Sequence, residues 1–186
     1  MQQAPAMDNG RLRNRLRPWI WGGAAVLLAL PAVAMRWFPG SGVDWSVGDF
    51  VVMGALLAFA AGLYELGARH SGQLAYRAGI GLAVLTGFLT VWVNLAVGML
   101  GDEGDAVNLL FAGVLVLAIG AALAARLRAA GMDRAMAMAG IAQLLAVGIG
   151  AATGDYRMNE LVLSACFALP WCASALLFRY AAAGEA

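Results

Sequence analysis

The 186-residue chain has no lysine, a single histidine, two cysteines and few charges of either sign. Each shortage excludes something. Without lysine there is no amine for a retinal Schiff base. One histidine, His70, cannot supply bis-His haem ligation or a His-rich metal centre. Cys166 and Cys172 are six helical positions apart and point to different faces, which argues against a disulfide or a metal pair. Charged residues make up 12% of the chain, where a water-soluble domain carries about 25%. There is no Walker loop, dinucleotide fingerprint or His-Glu metalloprotease motif, and too little histidine for a Ser-His-Asp set. The reading is therefore non-enzymatic, with no catalytic residue and no cofactor.

What is present is apolar: 62% of residues, with a mean hydropathy of +0.77. Apolar runs at 19–38, 49–68, 77–100, 105–125, 135–153 and 160–178 are separated by short charged clusters. A bilayer span needs about 20 such residues. Backbone polar groups in lipid must pair within the segment, so each run is expected to be a helix. The sequence thus predicts an all-α membrane bundle of six transmembrane helices. Residues 1–18 are expected to form a disordered basic cytoplasmic tail, 19–180 one helical domain and 181–186 a short cytoplasmic tail.

The twelve arginines are segregated. Ten of them (Arg11, Arg13, Arg15, Arg17, Arg69, Arg77, Arg126, Arg128, Arg134 and Arg179) fall on one side of the predicted spans; Arg36 and Arg157 fall on the other. The positive-inside rule makes the first side cytoplasmic, with both termini there. That topology uses up the arginines and leaves no basic surface for nucleic acid. Residues 11–34 also resemble a cleavable signal peptide, ending in Ala32-Val33-Ala34. Cleavage would leave five spans, but the length of the apolar run and Arg36 at its close favour retention.

The opposite side collects Asp44, Asp49, Asp102, Glu103, Asp105, Asp155 and Glu160. Gly-Asp pairs at 48–49, 101–102 and 154–155 suggest three helical hairpins in series. On the third segment Thr86, Thr90, Asn94 and Gly98 recur every four residues and share a face. Asn94 and Asn108 flank the turn carrying Asp102, Glu103 and Asp105 and are expected to face each other beneath it. Such carboxylates and amides are hard ligands, suited to Ca²⁺, Mg²⁺ or Na⁺. The competing reading is interhelical hydrogen bonding under a solvated turn, with Asp105 capping the fourth helix. Gln143 lies near mid-membrane and needs a partner at that depth; Thr90 is the other candidate polar contact there.

Other polar residues read as structural. Glu65 and Arg69 have the i,i+4 spacing of a helix ion pair. Pro31 and Pro170 fall inside spans and are expected to kink them. The stripes Gly54-Ala58-Gly62 and Ala142-Ala146-Gly150-Gly154 read as packing faces that leave little room for a wide pore.

The stretch WVNLAVGMLGDEGDAVNLLF, Trp92 to Phe111, resembles a group of small polytopic bacterial inner-membrane proteins. The likeness rests on Trp92, Val93, Asn94, Ala96, Val97, Gly98, Glu103, Asn108 and Leu109. It implies a bacterial inner-membrane protein and names no substrate. Two roles remain open on sequence. One is an accessory, sensor or assembly subunit that packs with other membrane proteins or with copies of itself. The other is a small cation or polar-solute transporter or channel with an acidic periplasmic mouth.

Overall fold

A computed structural model describes residues 17–184. The expected tail at residues 1–16 lies outside them, as do Glu185 and Ala186. Among the described residues seven α-helices make six spans: α1 (Arg17–Trp37), α2 (Val47–Ala68), α3 (Leu74–Ala96), α4 (Leu109–Ala124, preceded in its span by the 3-10 turn Ala106–Asn108), α5 (Ala129–Thr153), α6 (Met158–Cys166) and α7 (Ala168–Ala183). The six spans are each long and apolar enough to cross a bilayer, so this is an all-α, multi-pass membrane fold.

Local chemistry sets the helix ends. Pro18 sits in the first turn of α1, where a missing N–H is harmless, so the helix includes two residues assigned on sequence to the tail. Ser46 and Asp49 form a reciprocal capping box on α2. Asp49 N–H donates to Ser46 Oγ at 3.2 Å, and Ser46 N–H donates to Asp49 Oδ2 at 2.7 Å. α7 runs on past residue 180 to Ala183, because Ala181 is still buried in the bundle.

The two prolines behave differently. Pro31 lies inside α1 without ending it. Pro170 cannot donate to the carbonyl of Cys166 and crowds it. The last span therefore breaks into α6 and α7 around Phe167, whose N–H reaches Ser164 O at 3.3 Å.

The helices form a curled row. α5 and α7 pack together at its centre; α3 adds to α7, α2 to α3, α1 to α2, and α4 to the far side of α5. α3 and α4 follow one another in sequence yet barely touch. The three-hairpin pattern is therefore not a set of three equivalent pairs. The core lies along α5, with Tyr76, Phe111, Phe178 and Leu100 fully enclosed. Gly79 lets α3 approach Phe178, whose ring would lie 3.1 Å from a Cβ there. Ser174 Oγ donates to Gly79 O at 2.9 Å across the same contact.

Two small-residue stripes differ in fate. Ala146 and Gly150 are buried packing positions. Of the stripe read as a packing face on α2, Gly54 packs against Leu28 of α1, while Ala58 and Gly62 face outward and α2 turns Leu57 and Ala61 inward instead.

Candidate functional site

The third span ends early. α3 stops at Ala96, four residues before the expected end, and the chain turns inward at Gly98 (φ 76°) and Gly101 (φ 66°). These left-handed conformations suit glycine, which has no Cβ to clash. Space requires it too: a Cβ at Gly98 would lie 2.8 Å from the Asp102 backbone. Between the two glycines Met99 and Leu100 are buried against the core. Leu100 occupies the space left by the absent side chain of Gly150.

A non-helical turn buried at a membrane surface must find partners for its backbone. Here side chains from two other spans provide them. Asn108 Oδ1 accepts from Met99 N at 3.0 Å and Leu100 N at 3.1 Å; its Nδ2 donates to Leu100 O at 3.1 Å and Asp102 O at 2.8 Å. Ser164 Oγ donates to Met99 O at 2.6 Å. Glu160 Oε2 accepts from Gly101 N at 3.2 Å. Asp105 Oδ2 accepts from Asp102 N at 3.0 Å. Its carboxylate thus folds back on the turn and makes no cap on the following helix, which corrects the capping expectation.

Four of the five predicted cation-site residues, Asn94, Glu103, Asp105 and Asn108, line one cleft of about 440 Å³ between the ends of α3 and α4. Asp102 is exposed beside it. Within the cleft the roles divide. Asn108 is buried and its amide is fully engaged by backbone; it lines the same cleft as Asn94 and makes no hydrogen bond to it. Asn94 Oδ1 is buried with no hydrogen-bond partner among the described residues. Among the described residues, no three acidic, histidine or cysteine side chains converge to hold a metal ion.

The mid-membrane candidates lie elsewhere. Thr90 Oγ1 donates to Thr86 O at 2.9 Å and Thr86 Oγ1 to Leu82 O at 2.7 Å, so both hydroxyls are satisfied within α3. Gln143 is fully buried and donates through Nε2 to Ser164 O at 2.9 Å; its Oε1 has no partner among the described residues. Ser164 thus links two features: its hydroxyl holds the inward turn and its carbonyl receives Gln143. Sequence reasoning passed over Ser164. The available signal was a hydroxyl inside an apolar run close before a proline.

A second cavity, of about 220 Å³, lies between α2, α3 and α4 and is floored by Met132, Met136 and Trp171. Its lining is apolar apart from Trp171, whose buried indole N–H has no partner among the described residues. The two cavities share Val91 and Leu115.

At the Arg-rich end Glu65 gathers three partners. Arg69 Nη2 lies 2.9 Å and Arg17 Nε 3.4 Å from its Oε1, and Trp21 Nε1 is 3.5 Å from Oε2. The i,i+4 pair was expected; the tie to α1 was not. No protein-family profile, curated protein or solved structure matches this chain.

Proposed function

We propose that this chain is a non-enzymatic accessory, sensor or assembly subunit of a bacterial inner membrane, which packs against other membrane proteins or copies of itself. The observation that carries the reading is the closed centre of the bundle. Gln143 is fully buried on the Ser164 carbonyl, and neither cavity is lined by it. The apolar cavity below Asn94 offers no oxygen ligand to a hydrated ion. Outward-facing glycines support the packing role. Gly113 and Gly120 on α4 and Gly148 on α5 have nothing within 4 Å of a Cβ position, so another helix has room to approach closely there. Arginine segregation and an even number of spans support both termini being cytoplasmic. The resemblance of Trp92–Phe111 to small polytopic bacterial proteins fits the same placement.

A second reading, a small cation or polar-solute transporter, rests on one feature: the unpartnered Asn94 Oδ1 in the cleft it shares with Glu103 and Asp105. Proteoliposomes separate the two. The subunit reading expects no cation flux above empty vesicles, and discrete cross-linked products in cells from a photoreactive residue at Gly120. Cation flux that falls with the double variant Asn94→Ala, Asp102→Ala would overturn it in favour of the transporter.

A further inference from the structure

We propose that the apolar groove between α2, α3 and α4 binds one acyl chain of an anionic phospholipid from the Arg-rich leaflet, with Arg126 on its phosphate. The dimensions select the occupant. On α2 the groove runs from Leu56 to Gly67, and on α3 from Ile80 to Val91. Eleven helical steps are about 16 Å, half of a hydrocarbon core of about 30 Å. A transmembrane helix needs the full thickness and a width of about 10 Å. A volume of 220 Å³ accepts a single chain instead. The groove is open along its length, at Phe59 and Ile119 as well as at Leu66 and Leu123, the last two forming its mouth at the Arg-rich end, and on α2 it stops nine residues short of the other end.

Charge complementarity selects the headgroup. Arg126 stands between the groove-lining Leu123 and Leu127, is exposed, and has no side-chain partner among the described residues. The acids at this end are engaged elsewhere. Glu65 is held by Arg17 and Arg69, and Asp133 Oδ1 accepts from Arg134 N at 2.7 Å. The backbone at the mouth is unusual as well. Arg126 (φ 52°) and Leu127 (φ 55°) are consecutive non-glycine residues in the left-handed region. Tyr76 holds them there, its hydroxyl donating to Leu127 O at 2.6 Å. Conformations of this kind persist only where the surroundings enforce them, and they cluster at ligand clamps. A guanidinium carried on a held backbone beside the groove mouth is suited to forked hydrogen bonding with phosphate.

The test is native mass spectrometry of the full chain in neutral detergent, offered equal amounts of phosphatidylglycerol and phosphatidylcholine with identical acyl chains. The wild type is expected to retain phosphatidylglycerol preferentially. Arg126→Gln should lower that preference about fivefold, the effect of one basic contact at an anionic surface. Arg126→Lys should keep most of it, and Arg134→Gln should leave it unchanged. Ala122→Phe, whose side chain fills the groove while its carbonyl still accepts from Leu127 N, should lose the lipid and decides the matter if Arg126→Gln does not fold. Equal retention of the two lipids, or unchanged retention by Ala122→Phe, would overturn the proposal. So would displacement of the lipid by a neutral long-chain quinone whose binding is lost in Trp171→Phe, since the groove would then hold a headgroup at its floor.

Discussion

Asn108 holds Leu100 from both sides: its Oδ1 accepts the Leu100 N–H at 3.1 Å while its Nδ2 donates to the Leu100 carbonyl at 3.1 Å. One amide thereby replaces a helical turn for a residue that is fully buried. Each buried polar group left unpaired costs about 1–3 kcal/mol. Asn108→Ala, which orphans several at once, should destabilise the protein by about 2–4 kcal/mol. Asn108→Asp keeps the acceptor but sets a carboxylate oxygen against the Leu100 and Asp102 carbonyls, so it should cost at least as much while ionised and less once protonated at low pH. Denaturant unfolding in mixed micelles reads both, and a neutral Asn108→Ala would remove the amide from its structural role.

Gly98 offers a sharper contrast. Gly98→Ala combines a left-handed backbone, worth about 1–2 kcal/mol against a side chain, with a clash against the Asp102 backbone that cannot swing aside. Gly120→Ala meets nothing within 4 Å and lies inside α4, so helix propensity should make it neutral or up to about 1 kcal/mol stabilising in a monomer. Thermal unfolding of the two variants side by side should shift in opposite directions. Equal losses would mean that Gly120 is covered by another chain in the preparation.

Gln143 should be dispensable for stability. It gains one hydrogen bond and buries an unpaired oxygen, and buried hydrogen bonds between membrane helices average about 0.6 kcal/mol. Gln143→Met, close in shape, should change stability by less than about 1 kcal/mol. A large loss in the same unfolding assay would reveal a second partner for Oε1, such as a buried water.

The docking of α1 can be read chemically. Leu28 Cδ2 lies 3.5 Å from where a Cβ on Gly54 would stand. A Leu28→Cys, Gly54→Cys pair should therefore cross-link on mild oxidation in native membranes. Glu65→Gln, which removes the anchor for Arg17 and Trp21, should slow that reaction. No cross-link by gel mobility would show that α1 does not lie on α2.

How much of this was legible depends on the physics involved. The spans were, because lipid demands runs of about 20 apolar residues and leaves little freedom in how they fold. The pairing of Glu65 with Arg69 was, since i,i+4 neighbours on a helix meet regardless of tertiary context. The end of α3 was not. Met99 and Leu100 are as apolar as the helix before them, so hydropathy continues through a turn that only Gly98 and Gly101 betray. The position of Asn108 beside the acidic turn was read correctly, yet its bonds were not. Unwound backbone presents more donors and acceptors than a neighbouring amide does, and which backbone unwinds is a tertiary outcome. The splaying of α3 from α4 is likewise invisible locally, because α4 finds its partner in α5, which comes after it in the chain.

None of the side chains of α1 is buried. The interior is completed by later parts of the chain, and this helix rests against its rim through Glu65 and one stripe of α2. Fusing, exchanging or excising this segment should therefore alter how the protein is delivered and anchored while sparing the architecture of the remainder.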